Sequence, residues 1–502
     1  MNKIKIITGG ILLVLSTLSC TDLKEDVYSS VSQEKFFTNE RNLLMNAGRA
    51  YTKLQSYPEE MTIWSLTELA SDEMVAPGRD DGFVMDGGRW AQIQRHVINP
   101  NNKILRLAWE YVYAGISASN EVLYETESSP NNFDGKDKIV AEIKILRAFF
   151  YYLAMDNWGT IPFSIDFTDK SLPVPKDRIF MSNFLIKEIN DNVEKLEKLP
   201  TTANYGRATQ SMAYTLLSKI YLNSQEWTGV AKWQETIDAC NKVIGTGAYR
   251  IEDNFFTNFK AKNEISTENI FVIPLHSLFA KDNLYWYALT LNDASRATFN
   301  FKGAMWDEFV LEPGFLDKYS AKDVRKKSFL FGQQYDKSGN PIFIGTEPFV
   351  YDPNIQIPNM RKKWEGARCC KYEYQEGLQY NVTDMENDFV IFRYADVIYT
   401  KFEALYRQGK AGEMIGDPSL TKIRTRAGLA PYTLSEVTNA ELLDELGREF
   451  AWEGKRRQDQ IRFGVWGNAW WDKPVSPASA KLFPIPITVL NSNPNLVQNP
   501  GY

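Results

Sequence analysis

The segment from Gly447 to Gly464 holds the densest group of residues that could do chemistry. Its sequence, GREFAWEGKRRQDQIRFG, contains the carboxylates Glu449, Glu453 and Asp459. Glu449 and Glu453 are four residues apart and would share one face of a helix. Two carboxylates on one face could serve as an acid/base pair of the kind that glycosidases use.

Arginine residues alternate with these carboxylates and favour a different interpretation. Cations in contact lower the pKa of a carboxyl group, whereas a general acid needs a raised pKa. We therefore expect a structural ion network and no enzymatic activity, so Glu453→Gln should destabilise the fold without a specific catalytic defect. The expected members, with the carboxylates pairing to the arginines, are Arg448, Glu449, Glu453, Arg456, Asp459 and Arg462.

The same segment also resembles a basic patch for nucleic acid, because Lys455, Arg456, Arg457 and Arg462 stand near aromatic residues. The whole chain opposes this interpretation. Its formal net charge is -6, and nucleic-acid binding needs a positive field. We expect no nucleic-acid partner.

A second candidate site is the Gly-rich acidic stretch between Ser71 and Trp90. Hard cations such as Ca²⁺ take several carboxylate and carbonyl oxygens, so a structural calcium site is one interpretation. The spacing does not match an EF-hand loop, and a solvated acidic loop without a cofactor is favoured. The acidic residues are Asp72, Glu73, Asp80, Asp81 and Asp86.

Histidine and cysteine residues are too few for a metal or nucleophile site built on them. The chain has two histidines, His96 and His276, far apart in sequence, which excludes a multi-histidine metal site. It has four cysteines, of which Cys369 and Cys370 are adjacent and lack metal or redox spacing. The chain is not a disulfide-stapled scaffold.

The N-terminus has the layout of a secretory signal. Lys3 and Lys5 precede an apolar run from Ile6 to Leu18, which is shorter than the roughly 20 residues of a membrane span. Cys20 follows the small residue Ser19, and this resembles the lipobox of bacterial lipoproteins. We expect a signal peptide over 1–19 and a lipid anchor on Cys20; the alternative is an ordinary signal with an incidental cysteine.

Apolar residues at helical spacing predict the elements that position these groups. The clearest stripe runs through Leu105, Trp109, Val112, Ile116 and Leu123. Others start at Leu43, Ile139, Met181, Ala213, Ile237, Ile398 and Leu443. Many of these helices follow one another in pairs, although no fixed repeat of about 34 residues is readable. The stretch 254–358 is irregular with short extended runs, and recurrent prolines after Pro474 exclude a long helix there.

Segments along the whole chain, taken together, resemble the SusD/RagB family, the surface nutrient-binding lipoproteins of Bacteroidetes. Early segments are SQEKFFTNERNLLMNAGRAY, AWEYVYAGISASNEVL, AEIKILRAFFYYLAMDNWGTIPF and RATQSMAYTLLSKIYL. Later segments are FRYADVIYTKFEAL with IRTRAGL, LDELGREFAWEGKRRQDQIRFG and LFPIPITVLNSNPNLVQNPGY. Their common order along the chain is what makes the resemblance specific.

The resemblance implies a mainly α fold, in which a tetratricopeptide-like scaffold of helix pairs carries a loop-rich, irregular second half. It implies an N-terminal helical region over 20–230 and a C-terminal region over 265–502 that together form one compact body. It also implies a partner, a SusC-like TonB-dependent outer-membrane transporter. The protein would then be lipid-anchored in the outer membrane, facing the exterior, and would deliver a captured nutrient, which we expect to be a glycan.

A glycan site needs flat aromatic rings beside polar hydrogen-bonding groups. In the resembled family the ligand surface draws on the insertion after the first helix and on the irregular centre. The matching rings are Trp90, Tyr285, Trp286, Tyr287 and Trp306, with Trp364 behind them, and the matching polar residues are Arg89, Asn283, Asn292 and Arg296. At most two of the three consecutive rings Tyr285–Tyr287 can serve one face. The alternative for each ring is a place in the core or at a transporter contact.

Residues just after Cys20 resemble the short acidic export signal of surface lipoproteins, with Lys24, Glu25 and Asp26 as its members. A plain solvated tether is the alternative. Two other functions stay open for the chain as a whole. One is a secreted carbohydrate-active enzyme, and the other is a ligand-free structural subunit of a transporter complex.

Overall fold

The helices of the N-terminal half form a consecutive array. The computed structural model describes residues 39–78, 86–130, 135–277, 280, 284–355, 362, 364–380, 382 and 384–502. The first helices are α1 (Glu40–Tyr51), α2 (Ile63–Leu69), α3 (Arg89–Gln94), α4 (Lys103–Ser128), α5 (Lys136–Trp158), α6 (Arg178–Asn192), α7 (Gln210–Thr228) and α8 (Trp233–Ile244). From α4 onward each long helix packs on the next, and α8 then packs on a helix of the C-terminal half.

The C-terminal half has shorter helices. They are α9 (Trp286–Thr290), α10 (Arg296–Phe299), α11 (Tyr394–Arg407), α12 (Pro418–Arg426), α13 (Asn439–Phe450), α14 (Arg456–Arg462) and α15 (Ile487–Ser492). The helix α8 packs against α11, which also contacts α7. The predicted mainly α fold with an irregular second half is confirmed.

Strands in the described residues are short and pair only in antiparallel twos. They are β1 (Met74–Val75), β2 (Ile161–Phe163), β3 (Val174–Lys176), β4 (Asn269–Ile273), β5 (Val310–Leu311), β6 (Phe329–Leu330), β7 (Gly332–Gln333), β8 (Phe343–Ile344), β9 (Glu347–Pro348), β10 (Val350–Tyr351), β11 (Arg368–Cys369) and β12 (Phe389–Arg393). The pairs are β1 with β5, β2 with β3, β4 with β12, β6 with β11, β7 with β10 and β8 with β9.

Polar caps and close packing explain why the long helices lie where they do. The side chain of Asn102 accepts hydrogen bonds from the backbone N–H groups of Ile104 and Leu105 at the start of α4. The predicted stripe of α4, from Leu105 to Leu123, is buried. At Gly115 a Cβ atom would lie 2.4 Å from the ring of Phe150 on α5, so only glycine allows this approach.

One core of buried apolar side chains runs from Leu43 to Leu496 and so includes both halves of the chain. Indole rings join the halves at its centre. Trp64 on α2 stacks on Trp286 on α9 at 4.4 Å, and both rings lie edge-on to Trp452. The limits 20–230 and 265–502 stay predictions. Among the described residues, no helix combines the length and the apolar character that crossing a membrane would require.

Candidate functional site

The carboxylates that first suggested chemistry lie inside the protein. Glu449 on α13 and Glu453, just after that helix, are fully buried around the guanidinium group of Arg393. Arg393 Nη1 lies 2.6 Å from Glu449 Oε1 and 2.8 Å from Glu268 Oε1. Arg393 Nε and Nη2 bind the two oxygens of Glu453 at 3.0 and 2.9 Å. Further buried cations, Arg325 and Arg426, bind Glu449 at 2.8 and 2.6 Å.

The electrostatics of this cluster do not suit a general acid. Burial alone would raise the pKa of Glu449, but Arg426, Arg393 and Arg325 outweigh burial and hold that pKa well below its usual range. For Glu453, Arg393 and Lys371 likewise outweigh burial and lower the pKa. A carboxyl group with a lowered pKa holds no proton to donate at neutral pH.

We expected the carboxylates of the segment from Gly447 to Gly464 to pair with the arginines of that segment. This prediction is wrong for two of its carboxylates. Glu449 binds Arg325, Arg393 and Arg426 instead of its near neighbours in sequence. Glu453 binds Arg393, Lys371 and Lys455.

The three arginines that we expected as partners bind carboxylates outside the segment, with one exception. Arg448 binds Glu441 and Glu445, and Arg456 binds Asp72. Arg462 binds Glu403, and at 2.7 Å it also binds Asp459, the one expected pair that the structure contains. Tertiary packing brings distant charges closer than the helix spacing does.

Three predicted ligand rings are buried and cannot present a face to a ligand in this structure. Trp90, Trp286 and Tyr287 are at most 1 % exposed. Trp90 packs edge-on against Phe309, and the indole N–H of Trp286 donates to the carbonyl of Pro58. The prediction that they contact ligand is corrected, because tertiary packing places them in the core.

A cluster of rings does keep part of its surface exposed. Tyr285 and Trp306 were predicted as ligand residues, and the structure brings them together with Tyr380, which the sequence did not single out. Trp306 and Tyr380 are half-buried, with ring centroids 4.5 Å apart, and Tyr285, 9 % exposed, lies 5.9 and 5.3 Å from them. We call Tyr285, Trp306 and Tyr380 the aromatic cluster.

Backbone contacts hold the aromatic cluster in place. The N–H of Trp306 donates to the carbonyl of Ala288 on α9 at 2.6 Å, and the N–H of Lys302 donates to Leu378 near Tyr380 at 2.8 Å. Asp307, directly after Trp306, has φ 62°, which is strained for a residue other than glycine.

Two side chains stabilise that strained residue. The carboxylate of Asp307 accepts hydrogen bonds from Arg368 at 2.5 Å and from Asn292 at 2.7 Å. Asn292, predicted as a ligand residue, therefore has a positioning role. Arg296 is exposed and donates to the carbonyl of Gly303 in the same loop.

The other predicted ligand residues lie at different places. Trp364 is half-buried beside Phe349, at a ring distance of 6.4 Å. Asn283 lies outside the described residues. Arg89 begins α3, and its carbonyl accepts a hydrogen bond from Asn102.

Arg89 also lines a cleft of about 400 Å³ that the sequence did not suggest. Amide side chains dominate this cleft, which we call the amide cleft; its lining residues are Gly87, Arg89, Gln92, Asn99, Asn101, Asn102 and Lys103. Trp90 follows Arg89 and packs on Phe309, three residues after Trp306, so the segments that carry the amide cleft and the aromatic cluster are in contact. The signal available in the sequence was a local group of three asparagines, Asn99, Asn101 and Asn102.

The acidic stretch before Trp90 gives no metal site in the part that the structure describes. Asp72 binds Arg456, and Glu73 is buried. Asp80 and Asp81 lie outside the described residues, as does the side chain of Asp86. No group of three or more His, Cys, Asp or Glu side chains among the described residues is placed to hold a metal ion. Cys20, Lys24, Glu25 and Asp26 lie outside the described residues as well.

An exposed apolar surface is formed by the hairpin of β2 and β3 and by the start of α6. The two strands pair from Ile161 with Lys176 to Phe163 with Val174, and a loop joins them. We call this surface the apolar hairpin; its large apolar side chains, each at least 36 % exposed, are Ile165, Phe167, Leu172, Val174, Ile179 and Phe180. Contiguous exposed apolar surfaces are typical of interaction sites.

Comparison with known protein families gives two matches that together extend over most of the chain. A family model described as "SusD family" matches residues 245–502, which is more than half of the chain. The chain belongs to the SusD family. A second model, described as "Starch-binding associating with outer membrane", matches residues 22–222. The resemblance inferred from the sequence motifs is thereby confirmed.

Relatives and solved structures agree with this assignment. The chain is 27 % identical over 444 residues to the starch-binding protein SusD of Bacteroides thetaiotaomicron, covering 79 % of each chain. It is 24 % identical to the SusD-like protein P2 of Formosa agariphila, covering 100 % of both.

Two solved structures share the fold. A laminarin-binding SusD-like protein superposes with a TM-score of 0.75 at 21 % identity, over 92 % of this chain and 100 % of its own. The surface glycan-binding protein A of Bacteroides thetaiotaomicron, in complex with laminarihexaose, gives 0.74 at 18 % identity, over 92 % and 99 %.

Proposed function

We propose that this protein captures a glycan at the cell surface and delivers it to a SusC-like TonB-dependent transporter in the outer membrane. The observation that carries the proposal is the aromatic cluster. Most large rings of the core are buried, whereas Trp306 and Tyr380 remain half-exposed beside Tyr285 on a backbone that Asp307 and its partners hold rigid.

The chemistry of these groups suits a sugar. Pyranose rings have apolar C–H faces that pack on aromatic rings and polar rims that need hydrogen-bond donors and acceptors. The aromatic cluster supplies rings for the apolar faces. The amide cleft, which adjoins the loop of that cluster, supplies the hydrogen-bond donors and acceptors for the polar rims. The names of family members that bind starch or laminarin support a glycan as the ligand. Binding of this kind needs no cofactor, and we propose none.

The apolar hairpin is the surface that we propose for the transporter contact. Its loop is internally ordered, because Asp166 accepts hydrogen bonds from the backbone and side chain of Thr168, and Asp169 accepts one from the N–H of Ser171. A surface that is ordered before binding loses little conformational entropy on docking. The charges of the acidic and basic residues around the apolar hairpin cancel. A surface without net positive charge favours an apolar protein partner over an anionic membrane surface.

Anchoring would come from the N-terminus. We propose that Cys20 is the lipidated first residue of the mature chain and that Lys24, Glu25 and Asp26 act as the surface-export signal. Burial of several acyl chains anchors a protein stably. A Cys20→Ala variant should be released from outer membranes in cells that lack the transporter, and its continued fractionation with those membranes would contradict the anchor.

Glycan binding is tested directly by affinity electrophoresis of the purified chain without residues 1–20, through gels that contain one polysaccharide each, with a peptide-laden gel for comparison. The proposal expects retardation by at least one glycan and none by peptide. Turnover of a retarding glycan would favour the enzyme alternative. Migration that no glycan or peptide changes, in a chain that still binds its transporter, would favour a ligand-free structural subunit.

A further inference from the structure

Two buried carboxyl groups, Glu68 on α2 and Glu73 just before β1, face the turn that follows α13. Each is 1 % exposed. Glu68 Oε1 accepts a hydrogen bond of 2.5 Å from the N–H of Gly454, and Glu73 Oε2 accepts one of 2.8 Å from the N–H of Trp452. The N–H groups that the two carboxyl groups bind belong to residues only two apart, so both carboxyl groups converge on one buried turn. These two hydrogen bonds, which we call the clasp, join the carboxyl groups to a turn that lies more than 370 residues away in sequence.

The second oxygen of each carboxyl group is buried without a hydrogen-bond donor. Among the described residues, Glu68 Oε2 and Glu73 Oε1 find no N–H or O–H donor. Two ionised carboxylates in contact repel each other, and burial removes the water that would screen them. A single proton between them converts the repulsion into a charge-assisted hydrogen bond.

Nearby cations are engaged elsewhere and do not replace that proton. Arg456 Nε lies 3.9 Å from Glu73 Oε1, but its guanidinium group binds Asp72 at 2.6 and 2.9 Å. Lys371 binds Glu453 and two backbone carbonyls. The titratable and charged groups that face the pair are Tyr57, Asp72, Tyr319, Cys369, Lys371, Glu453 and Arg456.

The clasped turn is strained and central to the core. Trp452 has φ 62°, which hydrogen bonds must hold in place. Its indole N–H donates to the carbonyl of Glu73 at 3.2 Å, and its own carbonyl accepts the indole N–H of Trp64 at 3.2 Å. Trp64 stacks on Trp286, the residue next to Tyr285 of the aromatic cluster.

We propose that Glu68 and Glu73 share one proton at neutral pH and that its loss in mildly alkaline solution opens their clasp on the turn from Trp452 to Gly454. The pair therefore acts as a pH-sensitive joint between the N-terminal and C-terminal halves. This inference does not depend on glycan binding, because every contact in it lies within the chain.

The direction of the effect follows from the pKa values. Burial raises the pKa of Glu68 to about 7, and burial together with the neighbouring Glu68 raises that of Glu73 well above its usual range. The folded state therefore holds a proton that the unfolded chain releases near pH 4.5. Stability from the pair is present at acidic pH and is lost as the pH rises through about 7.

Deuterium exchange tests the clasp locally. Between about pH 6 and about pH 9 the intrinsic chemical rate of exchange itself rises. The exchange rate of the peptide that contains Trp452–Gly454 should rise about tenfold more than that over the same range. Uptake that follows the intrinsic rate throughout would overturn the proposal. In Glu68→Gln the amide donates to Glu73 without a shared proton, so the excess rise should disappear.

The control variant is Asp388→Asn, which removes another buried carboxyl group. Burial raises the pKa of Asp388 to about 6, and it contacts Tyr205 and Leu275 instead of the clasp. This variant should keep the excess exchange of wild type at Trp452–Gly454. Loss of that excess in Asp388→Asn as well as in Glu68→Gln would assign it to general loosening and overturn the proposal.

Infrared spectroscopy of wild type covers the case in which Glu68→Gln does not fold. The carbonyl stretch of a protonated carboxyl group should persist at about pH 6.5, where exposed carboxyl groups are ionised, and lose amplitude towards about pH 9. The same loss should appear in Asp388→Asn and in Glu312→Gln, each of which lacks another buried carboxyl group whose pKa burial raises. A spectrum of Asp388→Asn without any pH-dependent loss of this band in that range would overturn the proposal.

Discussion

Arg393 on β12 and Glu449 on α13 meet in the interior, 56 residues apart in sequence, with 2.6 Å between Nη1 and Oε1. Both side chains are fully buried. Arg393 also reaches Glu268 and Glu453, so one guanidinium group ties together the three segments that carry these carboxylates. The charged motif that first suggested catalysis is therefore a buried joint of the C-terminal half.

Removing the centre of this joint should destabilise the protein strongly. Arg393→Met leaves Glu268, Glu449 and Glu453 buried with fewer cations, and breaking a buried pair on one side costs about 3–5 kcal/mol. Urea denaturation should show that loss in the free energy of unfolding. The control Arg106→Met removes an exposed arginine that pairs with Glu110 and should cost less than about 1 kcal/mol. Equal costs for the two variants would contradict the structural role.

Acid should weaken the same joint. Burial opposes ionisation of Glu445, but Arg325 and Arg448 outweigh it and lower its pKa to about 2, and the pKa values of Glu449 and Glu453 are lowered as well. A lowered pKa in the folded state means that stability is present above about pH 4.5 and is lost as the pH falls towards 2.

Thermal unfolding between about pH 5 and about pH 2 measures this loss. We expect the melting temperature to fall as the pH drops from about 4.5 to about 2. A melting temperature that stays constant between pH 4.5 and pH 2 would show that these carboxylates are not ion-paired in solution.

The contact between α4 and α5 should tolerate no side chain at Gly115. Gly115→Ala places a Cβ atom against Phe150, and overpacking of this kind costs about 1–3 kcal/mol. The matched control is Gly48→Ala on α1, where a Cβ atom meets nothing within 4 Å. There alanine should stabilise the helix by up to about 1 kcal/mol. Chemical denaturation of the two variants should give shifts of opposite sign; shifts of the same sign would contradict the close packing of α4 on α5.

The sequence predicted the helices well because their signal is local. The stripe from Leu105 to Leu123 indicated a helix, and the structure has one over 103–128 with that stripe buried. The helical pattern that starts at Met181 continues in the sequence to Leu199, whereas α6 ends at Asn192 and a short 3₁₀ turn follows. Helix ends depend on capping and tertiary contacts that periodicity does not contain.

The candidate site was only partly predictable because burial is a tertiary property. Tyr285 and Trp286 are adjacent, but Tyr285 reaches the aromatic cluster while Trp286 stacks on Trp64 in the core. Tyr380 joins Trp306 from a segment more than 70 residues away, and no sequence pattern marks it. The partners of Glu449 were missed for the same reason.

The apolar hairpin should determine assembly with the transporter. The double variant Phe167→Ser, Leu172→Ser removes two exposed apolar side chains without touching the core, so its melting temperature should match wild type. Co-purification with the transporter should fall several-fold, because apolar anchors carry much of an interface's binding energy.

The control for that experiment is Val475→Ser, Val497→Ser, which alters two exposed apolar residues outside the hairpin. It should leave co-purification unchanged. An unchanged yield of complex from the hairpin variant would place the contact elsewhere on the surface.

Isothermal titration calorimetry of Trp306→Ala, with the glycan that retards wild type most, tests the central claim most directly. Removing an aromatic ring that stacks on a ligand costs about 2 kcal/mol or more, which is a loss of roughly 30-fold in affinity. Trp233→Ala, which removes a half-buried ring on α8, serves as the control and should bind as wild type does. The account predicts that loss for a folded Trp306→Ala variant, and wild-type affinity in that folded variant would contradict it.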